Sequence, residues 1–235
     1  MDVEAARAQG QAYLAATEGA GATLSLDDAL ALLAHAGVRA AEQRWASSLD
    51  EALDAAAGIG YPVALKAAGR PKVARTEATG LALDLVAPED LAASFRRMAA
   101  VLGSGMDRVL VQAMRPVGAD VQLVAGTHPR LGPVVALGRG GSSGSPPDEL
   151  ALRLAPLSPV DAARLVSSSV LQGTVAPGAL TELLQRVSML VAEVPEVAEV
   201  RLDPVLVSDT TVSVTDVLVR VAPWVPDPRP PVRRL

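Results

Sequence analysis

EVRLDPVLVSDTTVSVTDVLVRV, residues Glu199 to Val221, is two valine-rich runs separated by Ser208, Asp209 and Thr210. β-Branched residues favour strands and the polar triplet favours a turn, so the segment reads as a hairpin. A turn there pairs residues whose numbers sum to about 419, which sets Asp203 opposite Asp216 with both side chains on one face, roughly 5 Å apart. Two carboxylates that close repel, and they call for a hard cation, a shared proton or a basic neighbour. Arg201, two residues before Asp203 on the same face, offers positive charge without a metal. A guanidinium within about 4 Å is worth ~4 kcal/mol per carboxylate at an effective dielectric of about 20, before desolvation is subtracted. The competing reading is that Asp203 caps the bend at Pro204 and Asp216 is a solvated strand residue.

Upstream, VVALGRGGSSGSPPDELALRLAPL (Val134 to Leu157) places Gly138, Gly140, Gly141 and Gly144 between two strand-like runs. Such a loop can turn several backbone N–H groups toward an anion. It carries no phosphate-loop pattern ending in Gly-Lys-Ser/Thr and no G-x-G-x-x-G opening a helix, so a surface loop remains an equal reading. Lys66 ends the apolar run VALKAA, where a buried ammonium is costly without an anionic partner and a phosphate is a natural one. A strand-end lysine reaching solvent is the alternative. ARTEATG, Ala74 to Gly80, joins two strands and on its own is an ordinary turn.

The rest of the chain frames these segments. Ser25 and Ser48 each head a helical run with an acid three residues later, the signature of a capped start. EQRWA, YPVALKAA and GLALDLV read as strands, and APEDLAASFRRMAAVLG puts Leu91, Phe95, Met98 and Leu102 on one helical face. RVLVQAM, ADVQLVAGT, GPVVALG and LALRLA follow as strands, then helices at SPVDAARLVSS and APGALTELLQRVSMLVAEVP. The expected organisation is an N-terminal helix and linker over 1–21, a first lobe over 22–105, a second over 106–222, and a proline-rich basic tail over 223–235.

Composition limits the functions. The 235 residues hold no cysteine and two histidines, which excludes disulfides, thiolate metal sites and cysteine nucleophiles. Neither His35 nor His128 has metal-spacing companions, so both read as structural or solvated. A net charge of -5 and five scattered aromatics argue against nucleic acid, which is gripped by cationic stripes and stacking rings. No apolar run reaches membrane-spanning length and no export signal opens the chain, so a cytoplasmic location is expected and no membrane partner.

Taken in order, five blocks resemble the ATP-grasp domain of NDP-forming acyl-CoA synthetases, the β-type part of ADP-forming acetate–CoA ligases. They are GYPVALKAA, TEATGLALDL, VLVQAM, GPVVALGRGG with LALRLAPL, and EVRLDPVLV with VTDVLVRVAP, spanning about residues 20 to 222. The same module is found in bacterial protein acetyltransferases, fused to a GNAT domain. The resemblance implies an α+β ATP-grasp fold: two α/β lobes holding ATP or ADP in a nucleotide cleft between them, with Mg²⁺ on the phosphates. It implies that Lys66, Thr76, Glu77 and Gly80 contact the nucleotide, that Gln112, Ala113 and Met114 form the adenine-side hinge, and that Gly138, Gly140 and Gly141 shape the glycine loop. Asp203 and Asp216 fall at the metal-ligand positions. A CoA-binding synthetase-like domain or subunit is the implied partner, and a GNAT domain or a second copy are further candidates.

Most of the departures weaken this chemistry, although Asp203, where the family generally has Asn, is still an oxygen ligand. Where the family reads H-K-S/T-D/E-x-G-G, this chain has Ala74 to Gly80, and alanine cannot relay a phosphoryl group as the family's histidine does. Ser145 stands where the family carries Glu, Pro146 and Pro147 follow it, Asp203 replaces the usual Asn, and Arg201 replaces an acid. The expectation is a degenerate ATP-grasp module of a larger acyl-CoA-linked protein, regulatory or structural, with catalysis lost in this domain. The alternatives are an active acid–thiol ligase subunit and an oligomerisation domain with an empty cleft.

Overall fold

The computed structural model describes residues 1–68, 80–114, 118–141, 144–176, 178–208 and 211–224. They form an α+β architecture that divides into two compact units, residues 1–40 with 117–235, and residues 41–116.

In the first unit, helices α1 (Val3–Ala16), α2 (Leu26–His35), α5 (Pro159–Ser167) and α6 (Thr181–Glu193) accompany an antiparallel sheet. Its strands are β1 (Ala22–Thr23), β6 (Ala119–His128), β7 (Gly132–Arg139), β8 (Ala151–Leu154), β9 (Val197–Val207), β10 (Val212–Val214) and β11 (Val217–Val221). Their order is β1-β11-β9-β6-β7-β8, with β10 beside β9 beyond the end of β11. Alternation along β6, β7, β9 and β11 sends Val121, Leu123, Val135, Leu137, Val200, Leu202 and Val219 to one face. There they are fully buried against Leu32, Leu165, Leu184 and Leu190 of the helices. The opposite face carries Asp120, Gln122, Glu199, Arg201, Asp203 and Asp216.

In the second unit, β2 (Gln43–Ala46), β3 (Val63–Ala67), β4 (Leu81–Leu85) and β5 (Val109–Ala113) are ordered β2-β5-β3-β4, all antiparallel. Helices α3 (Leu49–Ile59) and α4 (Pro88–Leu102) cover one face, burying Ala52, Ala56, Leu91 and Met98 against Val63, Leu65 and Val111. The helix starts follow the local chemistry. Ser25 Oγ accepts the Asp28 N–H and Ser48 Oγ accepts the Glu51 N–H, each at 3.2 Å. Glu51 reaches back one residue further than a capping box does, taking the Ser47 N–H at 2.7 Å.

Three boundaries differ from the expected ones. The N-terminal helix is no appendage: α1 buries Ala6 and Gly10, the Asp2 N–H donates to His35 O at 2.8 Å, and Arg7 Nη2 donates to Glu193 O. Strand β1, too short for periodicity to reveal, pairs Ala22 with Val221. Residues 1–40 therefore fold with the C-terminal strands, and the lobe expected at 22–105 does not begin at 22. Nor does it end at 105, because β5 is inserted between β2 and β3, pairing Gln112 with Gln43 and with Ala64. Helix α6 starts at Thr181 rather than near Ala176. Among the described residues no helix is long and apolar enough to cross a membrane. Most of the proline-rich tail, residues 225–235, lies outside the described residues.

Candidate functional site

The hairpin keeps the register expected from its turn. Val207 pairs with Val212, Val205 with Val214, Leu202 with Val217 and Glu199 with Arg220. Between these pairs the Asp203 N–H donates to Asp216 O at 3.3 Å, so the two aspartates stand opposite each other on adjacent strands. Both are half-buried. Asp216 Oδ1 also accepts its neighbour's N–H, from Val217 at 3.1 Å.

The glycine loop leaves the end of β7 and comes down on the same spot. The Gly141 N–H donates to Asp203 Oδ1 at 2.7 Å and the Gly140 N–H to Asp120 O at 2.9 Å. Beyond the bend, the Gly144 N–H donates to Gly141 O at 3.2 Å and the Ser145 N–H to Arg139 O at 2.8 Å. Ser145 Oγ accepts the Arg139 N–H at 3.2 Å, closing the loop on itself. A nest of free N–H groups facing an anion is therefore not what the described loop residues form: each of these donors already has an acceptor in the chain. Two glycines lie in close approach, and at Gly140 the neighbour is backbone. A Cβ at Gly140 would lie 2.5 Å from the Val121 carbonyl carbon, and one at Gly138 would lie 2.5 Å from Leu150 Cδ2. Gly141 adopts φ +69°, which favours glycine for its backbone alone.

Arg201 departs from expectation. Its Nη2 and Nε donate to Glu199 Oε1 at 3.1 and 3.4 Å, and Arg220 Nε lies 3.9 Å from Glu199 Oε2. The guanidinium thus ion-pairs with the acid two residues before it, not with Asp203 or Asp216. Glu199, Arg201 and Asp203 lie on one face of β9, so alternation does not choose between the two acids; Asp203 Oδ1 is taken by the Gly141 N–H of the loop, and the guanidinium lies on Glu199. Gln122, 6% exposed, joins the two features. With its amide oriented so that donors meet acceptors, Nε2 donates to Ser145 O and Oε1 accepts from Arg201 Nη1, each at 3.3 Å. Sequence reasoning passed over Gln122, although a polar residue alternating with Val121 and Leu123 marks the solvent-side face of β6.

Among the described residues no cluster of three or more His, Cys, Asp or Glu could hold a metal. Asp203 and Asp216 are two facing carboxylates, the donor type and number that a magnesium ion on a polyphosphate uses when phosphate oxygens and water fill the rest of its shell.

The second unit carries the other candidates. Lys66, on β3 between Leu81 and Leu110, is half-buried on the sheet face opposite Val63 and Leu65, and Gln112 on β5 emerges on that same face. Gln112, 2% exposed, donates from Nε2 to Gln43 Oε1 at 2.6 Å. The Ala113 N–H donates to Glu42 O at 2.8 Å and the Met114 N–H to Pro62 O at 3.0 Å. Both of these donors are consequently tied to neighbouring backbone. Met114 Sδ accepts the Asp84 N–H at 3.0 Å. Gly80, at φ +83°, accepts the Ala67 N–H at 2.7 Å at the end of β3, one residue past Lys66. Thr76 and Glu77, like Ala74, lie outside the described residues.

Comparison with known proteins shows the family and the fold. The profile of the ATP-grasp domain matches residues 15–221. The chain is 30% identical over 203 residues to acetate–CoA ligase (ADP-forming) I of Archaeoglobus fulgidus, covering 80% of this chain and 30% of that protein. It is 24% identical over 194 residues to the acetate–CoA ligase (ADP-forming) I subunit beta of Pyrococcus furiosus, covering 77% of this chain and 84% of that subunit. The dinucleotide-forming acetyl-coenzyme A synthetase 1 of Ca. Korarchaeum cryptofilum, solved with coenzyme A, Ca-AMPCP and HgCl⁺, superposes with a TM-score of 0.76 at 25% identity. That match covers 90% of this chain and 98% of that one. The chain thus spans less than a third of the Archaeoglobus ligase and most of the Pyrococcus subunit.

Proposed function

Because the chain belongs to the ATP-grasp domain family, we propose that it is a degenerate module of an acyl-CoA synthetase-like protein, serving regulation or assembly rather than phosphoryl transfer. The observation that carries this reading is the bond from the Gly141 N–H to Asp203 Oδ1. A backbone donor committed to the protein's own carboxylate is not offered to a phosphate, and a magnesium ion on that phosphate has to share Asp203 with the loop. Alanine at position 74 adds the chemical reason: a methyl group has no nitrogen to accept a phosphoryl group.

What nucleotide affinity survives rests on Lys66, Gly80, Gln112, Ala113 and Met114, with Thr76 and Glu77 as further contacts. ATP or ADP then binds weakly and with little dependence on Mg²⁺. The partner is a CoA-binding synthetase-like domain or subunit, within a cytoplasmic protein acetyltransferase that carries a GNAT domain; a second copy of the chain is the other candidate partner.

Calorimetric titration with ATP and ADP, with and without Mg²⁺, tests this. The expected dissociation constant is about 1 mM or weaker, a binding free energy of about −4 kcal/mol or less favourable. Tight binding that requires Mg²⁺, together with CoA-dependent ADP formation when the CoA-binding partner is added, would overturn it. That outcome would favour the second reading, an active β-like part of an ADP-forming acyl-CoA ligase, for which the facing of Asp203 and Asp216 speaks.

A further inference from the structure

A cleft of about 660 Å³ opens within the first unit where the end of α2, the first two turns of α6 and strand β10 meet. Its walls are pinned. Arg186 Nη1 donates to Gly37 O at 2.6 Å, tying α6 to the end of α2, and Ala40 bridges to Val214 of β10. Gly37 sits at φ +72° with its Cα side against the Arg186 guanidinium, where a Cβ would come within 3.3 Å of Cζ. The volume falls in the range of about 300–1,000 Å³ typical of small-molecule sites.

The lining has an apolar part and a charged part. Leu183, half-buried, and Val212, 38% exposed, supply the apolar part, with Val38, 4% exposed, buried beneath them. Arg39, Arg186 and Glu182 supply the charges. Arg186 and Glu182 neutralise each other through an ion pair one helical turn apart. Arg39 is exposed, and among the described residues no hydrogen bond or ion pair engages it. The cleft therefore presents one uncompensated guanidinium beside apolar surface, on a chain whose formal net charge is -5.

We propose that this cleft binds an amphiphilic oxyanion, a carboxylate or phosphate monoester on an apolar body, with the anionic head on Arg39 and the body over Leu183 and Val212. A guanidinium grips either head group through paired N–H donors. An apolar body covers the exposed part of the Val212 side chain, which is favourable in proportion to the apolar area removed from water. The site is independent of the glycine loop and of its nucleotide chemistry.

The test is a titration of the ¹⁵N-labelled full chain, followed by amide shifts, with sodium octanoate, octyl phosphate, octylamine and inorganic phosphate. Octanoate or octyl phosphate is expected to shift the Val38, Val212 and Val214 amides saturably, with a dissociation constant of about 1 mM or tighter, and the tighter of the two identifies the head group. Octylamine and inorganic phosphate should bind about tenfold more weakly or less. Arg39→Gln should weaken the preferred probe about tenfold, and Val212→Glu, which sets a negative charge at the mouth, should do the same while the spectrum stays dispersed. Equal binding of octylamine and octanoate, unchanged affinity in Arg39→Gln, or no saturable shift at these amides overturns the proposal. Should Arg39→Gln fail to fold, unchanged affinity in Val212→Glu overturns it instead.

Discussion

The Gly141 N–H donates to Asp203 Oδ1 at 2.7 Å across 62 residues of sequence, joining the glycine loop to the strand that would hold a metal. Leaving that donor unpaired costs about 1–3 kcal/mol. Asp203→Ala should therefore lower the melting temperature by roughly 2–4 °C per kcal/mol lost in a chain of this size. Asp203→Asn keeps an acceptor oxygen and should lose less. Equal losses for the two variants, measured by thermal denaturation, would show that the bond contributes little.

Gly140 and Gly138 differ in what surrounds them. A methyl group at Gly140 meets the Val121 carbonyl, which is backbone and cannot step aside, whereas one at Gly138 meets the tip of the Leu150 side chain. Gly140→Ala is expected to cost about 1–3 kcal/mol or more, and Gly138→Ala less. Urea unfolding of both variants checks the order.

Arg201 and Gln122 should rank in the opposite sense to their charge. The Arg201–Glu199 pair is 46% and 29% exposed, so Arg201→Ala should change stability by about 0–1 kcal/mol. Gln122 is buried and holds Ser145 O, so Gln122→Ala should cost about 1–3 kcal/mol. A larger loss for Arg201→Ala than for Gln122→Ala would contradict this description of the loop.

Ser25, Asp28 and Tyr13 form a pH-sensitive cluster. The Ser25 hydroxyl at 2.6 Å, and then the Tyr13 hydroxyl at 2.9 Å, hold the Asp28 carboxyl below its ordinary range. Burial first, and then the bond to Asp28, push the Tyr13 phenol up. A lowered carboxyl stabilises the fold above its unfolded value of about 4 and loses that contribution as pH falls through the folded value. A raised phenol does the reverse, contributing below about pH 10 and losing it as pH rises through the folded value. Carboxyl NMR titration should show the Asp28 pKa rising in both Ser25→Ala and Tyr13→Phe, and rising further in Ser25→Ala.

Local pattern was enough for the hairpin. Only one pairing around Ser208 keeps Val200, Leu202, Val205 and Val219 together on a buried face, because a slip of one residue would turn every valine to solvent. The facing of Asp203 and Asp216 follows from that constraint, and so do the helix starts at Ser25 and Ser48, whose caps lie three residues from their donors. The family resemblance was likewise legible, since it resides in the order of short blocks.

Tertiary structure decided the rest. Residues 1–40 join the C-terminal strands through contacts such as Asp2 with His35 and Ala22 with Val221, and β5 enters the small sheet between strands that precede it in sequence. Arg201 pairs with Glu199, and Asp203 with the Gly141 N–H, although on charge alone the arginine and the aspartate would have been joined. The path of a distant loop onto Asp203, and the neighbouring strand that sets Arg220 beside Glu199, settle which partner each side chain reaches, and neither is encoded within the few residues around Arg201 or Asp203.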